Sequence, residues 1–127
     1  MFNLRFIKPG LGEIQIDTFK ETFECDHRYW SMNKYKEQWE EAKTKIIKKQ
    51  PAMFITSILN PRFSSFARVW ICYPIGDELV FQEQLLFYNQ LNSPFDIGNP
   101  HKHISSYESV TEDGERISEW RTSAATE

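Results

Sequence analysis

Cysteine is scarce in this sequence: Cys25 and Cys72 are the only two in 127 residues, too few for a disulfide scaffold. No apolar run approaches the ~20 residues of a membrane-spanning helix, so no membrane association is expected. The start, Met1 to Pro9, lacks both the unbroken apolar core and the small-residue cleavage site of a secretory signal. Five Gly and six Pro form no low-complexity tract, and no internal repeat is visible. There is no phosphate-cradling glycine loop, no GxSxG and no zinc-binding helix. These absences point to a reduced, soluble, cytoplasmic protein. Its length fits one domain spanning residues 1–127.

Aromatics, by contrast, are plentiful. Ten Phe, five Tyr and four Trp suit pleated sheets better than a helical bundle. The net charge of −3 hides an asymmetry. Residues 1–70 carry 12 Lys/Arg against 8 Asp/Glu, whereas residues 71–127 carry 3 against 10. A nucleic-acid binder needs a basic field over its working face. The acidic part suits a basic partner instead.

Phe2, Leu4 and Phe6 alternate with polar residues up to the Pro9-Gly10 turn, which predicts a half-buried strand over 2–8. A second extended stretch carries Ile14, Ile16 and Phe19, and residues 20–30 read as a loop or weak strand. From Ser31 to about Lys49 the period changes. Tyr35, Trp39, Ala42 and Ile46 fall on one helical face, with Ser31 or Asn33 as the cap and Pro51 beyond the end. Strand patterns follow at Ala52–Leu59, Phe66–Tyr73 and Leu79–Tyr88, the last two joined by a short antiparallel link at Pro74–Asp77. Residues 89–103 read as an irregular connection. Ile104–Val110 and Arg116–Thr122 read as a second hairpin around Asp113-Gly114. About six or seven strands around one main helix give an α+β domain with an antiparallel sheet or sandwich.

Chemistry-bearing residues are sparse. Cys25-Asp26-His27 sets a thiol beside an imidazole, but catalytic Cys–His pairs meet in space rather than in sequence. His101 and His103 alternate and could offer two metal ligands, yet no further ligand at suitable spacing completes a site. Arg68 beside Trp70 on one strand face could stack a nucleotide base, or be an ordinary sheet face. Glu108, Glu112, Asp113, Glu115 and Glu119 gather around the second hairpin. They could hold a divalent ion for nuclease chemistry, or stand as a solvated turn.

An ordered set of segments resembles the immunity proteins of contact-dependent growth inhibition, the CdiI family, in the group related to the Enterobacter cloacae immunity protein. It begins with Tyr29-Trp30-Ser31 and Tyr35–Trp39, then Ile55–Ile58 with Asn60-Pro61, then Phe66–Tyr73. Val80–Phe87, Pro94-Phe95-Asp96, Asn99-Pro100, Thr111–Gly114 and Ile117–Thr122 complete it. His103 departs from the pattern, standing where an aromatic such as Phe is expected. Residues 1–28 lie outside the resemblance.

The resemblance implies a Whirly-like antiparallel β-sandwich around a helix. It also implies a non-enzymatic protein that uses no cofactor and neutralises the C-terminal toxin domain of a cognate CdiA-type effector. That partner, in such systems mostly a nuclease, would be held in a one-to-one heterodimer, with no nucleic acid bound. The alternative is a Whirly-like single-stranded nucleic-acid-binding module. A nuclease active site is basic, so carboxylates of an inhibitor can occupy it. The toxin-binding residues expected on this ground are Glu108, Glu112, Asp113, Glu115 and Glu119, with Asp77 and Glu78 at the other hairpin.

Overall fold

The computed structural model describes residues 1–124. Seven strands and one long helix follow the order β1 (Phe2–Lys8), β2 (Leu11–Ile16), β3 (Phe19–Glu24), α1 (Met32–Ile47), β4 (Ala52–Ser57), β5 (Phe66–Ile75), β6 (Glu78–Phe87) and β7 (Trp120–Ser123). They form two antiparallel sheets, β1-β2-β3 and β4-β5-β6-β7. The domain is α+β, as the alternation of apolar residues implied.

Residues 20–30 divide between the two readings, strand as far as Glu24 and loop beyond it. The chain turns at Asp17-Thr18, with Asp17 at φ +52°, and β3 pairs with β2 from Phe19 to Glu24. Of its side chains only Phe19 and Phe23 are apolar, so its alternation is faint in the sequence. Gly12, opposite Phe23, lets that ring lie across β2, because a Cβ there would sit 2.4 Å from it.

The second hairpin differs. Ile104–Val110 forms no strand, and the two arms share one isolated bridge, Val110 to Arg116. Trp120–Ser123 instead pairs with β6, from Phe81–Trp120 to Glu78–Ser123. The residues before Val110 are used as side chains rather than as a ladder. Tyr107 packs edge-on against Tyr73 at 5.3 Å, and Tyr73 Oη donates to the Ser105 carbonyl. This connection thereby covers one face of the larger sheet.

The opposite face of the larger sheet carries Phe54, Trp70, Cys72, Phe81 and Trp120, which are cross-strand neighbours. The three-stranded sheet covers it. Phe2 lies 5.0 Å from Phe81, and Phe19 stacks on Trp120 at 4.4 Å. Trp70 is fully buried there. It is therefore closed to a nucleotide base, although Arg68 shares its face.

Helix α1 closes the side of this sandwich. Ser31 Oγ caps it by accepting from the Lys34 N–H, and the expected face of Tyr35, Trp39, Ala42 and Ile46 is buried. Trp39 stacks on Phe6 at 5.0 Å, and Gln38 bonds the backbone of β4 on both sides of Phe54. Lys49 ends the helix at φ +60°, its N–H donating to the Ile46 carbonyl.

Candidate partner-binding surface

The acidic turn is built by backbone bonds around Thr111. Its N–H donates to the Glu115 carbonyl at 2.7 Å, its carbonyl accepts from Gly114, and its Oγ1 accepts from the Glu115 N–H. Gly114, at φ +82°, supplies the left-handed residue that this tight closure requires. The turn leaves Glu112, Asp113 and Glu115 exposed. Among the described residues none of these three carboxylates has an ion-pair partner. They form a fully hydrated negative tip whose field reaches ~8 Å at physiological ionic strength.

Glu119 and Glu78 stand differently. Arg121 bridges them, with Nη2 2.8 Å from Glu119 Oε2 and Nη1 3.0 Å from Glu78 Oε1. Glu119 also accepts from Tyr107 Oη at 2.6 Å and from Gln82 Nε2. Partial burial works to raise its pKa, but the hydrogen bonds from Tyr107, Arg121 and Gln82 outweigh burial and hold it below the usual value. Five of the seven expected carboxylates thus fall into two sets. Glu112, Asp113 and Glu115 stand free at the tip, while Glu119 and Glu78 share the single positive charge of Arg121. Glu108 is exposed beside Tyr107, and its carbonyl accepts from Gln82. Asp77 is exposed at the β5–β6 turn, where its carbonyl accepts from the Ala124 N–H.

A polar cleft of about 710 Å³ opens between the tip and β7, lined by residues that include Tyr107, Arg116, Glu119 and Arg121. Sequence reading missed Tyr107, Gln82 and Arg121 as organisers of this surface. No local pattern marks them: Tyr107 reads as an apolar strand position, and Arg121 meets Glu78 across 43 residues of chain.

The other residues singled out by chemistry have structural partners. Cys25 is buried and its thiol is pushed up to about 12, chiefly by burial, which suppresses the reactive thiolate. His101 and His103 lie in a 3₁₀ turn, Pro100–His103. His101 Nδ1 accepts from the Met53 N–H at 3.1 Å, and His103 Nε2 accepts from the Asp96 N–H at 2.9 Å. His103 in place of a phenyl ring is thus explained by a bond that Phe could not make. Among the described residues no group of three or more His, Cys, Asp or Glu could hold a metal ion. No described helix is long and apolar enough to cross a membrane.

The family model of the CdiI N-terminal domain matches residues 25–126. The chain belongs to this family. Among solved structures it is similar to a chain of the CdiA-CT/CdiI toxin and immunity complex from Enterobacter cloacae. The TM-score is 0.88 at 23% identity, over 99% of this chain and 92% of that one. At that identity the likeness carries the fold, which includes the β1–β3 sheet that precedes the family match. No protein of curated function matches the sequence. The CdiI resemblance read from Tyr29 to Thr122 is borne out.

Proposed function

We propose that this CdiI-family chain is an immunity protein that binds the C-terminal toxin domain of a cognate CdiA-type effector and neutralises it. The observation that carries the reading is the family match across residues 25–126. The protein acts in the cytoplasm, in a one-to-one complex, and performs no chemistry of its own. Its toxin is a nuclease, whose basic active site is met by Glu112, Asp113 and Glu115 at the acidic tip, with Glu108 and Asp77 extending the negative surface. Glu119 and Glu78 contribute less charge than the tip, because Arg121 already offsets one of their two negative charges.

Co-expression with the toxin domain encoded directly upstream tests the reading. Growth should be restored, while cells expressing unrelated toxin domains should still die. Continued killing by the neighbouring toxin would overturn it.

A further inference from the structure

On the β5–β6 ribbon the core-facing side runs in cross-strand rows: Cys72–Phe81, Trp70–Glu83, Arg68–Leu85 and Phe66–Phe87. The three-stranded sheet covers the first row and Trp70, then stops. Beyond it Phe66, Leu85 and Phe87 are 37%, 47% and 36% exposed. The reverse side of the same stretch, at Ala67, Val69 and Leu86, is buried. One side of a two-stranded ribbon therefore carries uncovered apolar rows that continue the inner face of the sandwich. Exposed apolar surface concentrated in this way marks an interaction site.

The charges on this face decide its partner. Arg68 lies 5.9 Å over the Phe66 ring, and among the described residues it has no carboxylate within ion-pair distance. Glu83 is raised above the usual carboxylate range, first by burial and then by the neighbouring charge of Glu21 on β3, with Arg68 working against both. The face therefore holds two crowded carboxylates against one guanidinium. That balance repels a phosphate backbone. A second copy fits poorly too, since pairing this face with itself sets one surplus of negative charge, from Glu21 and Glu83, against another. What fits is a protein segment with apolar side chains for the Phe66, Leu85 and Phe87 rows and a Lys or Arg aimed at Glu21 and Glu83.

We infer that the uncovered Phe66–Arg68–Leu85–Phe87 face docks a basic, apolar segment of the toxin domain. This inference rests on the immunity reading and gives that partner a second contact, distinct from the acidic tip. Aromatic and arginine side chains grouped around an apolar centre are the composition of an interface hot spot.

The test is the affinity of the purified upstream-encoded toxin domain for three proteins: the parent, a Leu85→Ala/Phe87→Ala double variant and Glu83→Lys. All replaced side chains are exposed, and thermal melting checks each fold. The double variant and Glu83→Lys should each bind at least about tenfold more weakly, mainly through faster dissociation. If the double variant misfolds, Glu83→Lys, a change of charge alone, carries the test. Parent-like affinity in a folded variant overturns the inference and leaves the immunity reading intact. A parent that does not bind the toxin overturns the immunity reading, and the inference with it. Self-association of the parent that Glu83→Lys abolishes, or binding of a single-stranded oligonucleotide that Glu83→Lys strengthens while toxin affinity stays at the parent level, assigns the face elsewhere and also overturns the inference.

Discussion

Trp39 donates its indole N–H to the carbonyl of Ile55 across 2.8 Å, fastening helix α1 to the outer edge of β4. The same ring stacks on Phe6 of the other sheet, so one side chain joins three elements. Trp39→Ala should lower stability by about 3–5 kcal/mol, a large share of a small domain's total. Trp39→Phe keeps most of the packing but orphans the Ile55 carbonyl, at a cost of about 1–3 kcal/mol. Denaturant unfolding of both variants should return that order. Equal losses would mean that the packing of the ring contributes nothing beyond its hydrogen bond.

Gln38 seals the rest of that edge, its Nε2 donating to the Met53 carbonyl and its Oε1 accepting from the Ile55 N–H. An unsealed edge strand is a template for pairing with other chains. Gln38→Leu should therefore lower the unfolding free energy and raise aggregation on heating. Turbidity and light scattering against the parent check this, and a soluble variant of unchanged stability would refute it.

The helix was legible from its unbroken apolar period, and the β5–β6 hairpin from two apolar runs joined by a short link. Tyr35, Trp39, Ala42 and Ile46 repeat every three or four residues, and β5 and β6 carry buried runs, Val69–Tyr73 and Leu79–Gln82, on either side of a short turn. The β3 strand was obscured because its core side holds Glu21 between Phe19 and Phe23, which dilutes the alternation. The tail misled because Ile104 and Tyr107 are apolar for packing onto a sheet face rather than for pairing into one. Of the candidate site, the acidic turn could be read from Asp113-Gly114 alone. The Arg121 bridge could not, since it depends on β7 crossing to β6, a long-range pairing that no local pattern encodes.

Stability should depend on pH through His101. Burial lowers its pKa below the usual 6.5, the opposing pull of Glu41, 3.3 Å away, being too weak to restore it; Lys45 adds to the lowering. The unfolded chain therefore binds a proton that the folded chain refuses, so stability rises with pH across the window just below 6.5 and is lost as pH falls through it. Protonation would also remove the acceptor for the Met53 N–H. Melting temperature should fall between pH 7.5 and 5.5 in the parent and fall less in His101→Gln. Parallel pH profiles would assign the loss to other groups.

The acidic tip should act on rate. Glu112, Asp113 and Glu115 are exposed, so reversing all three to Lys should leave the melting temperature near the parent's and slow association with the toxin domain. The deficit should shrink as salt rises. Stopped-flow association at two ionic strengths checks this; an unchanged rate at low salt would place the contact away from the turn.

The central claim is the recognition of a cognate toxin, and calorimetric titration of the purified toxin domain encoded directly upstream into the chain tests it most directly. The account expects a saturable heat at a one-to-one ratio, with no heat from an unrelated toxin domain. Absence of binding to the upstream domain, or equal binding to both, would contradict it.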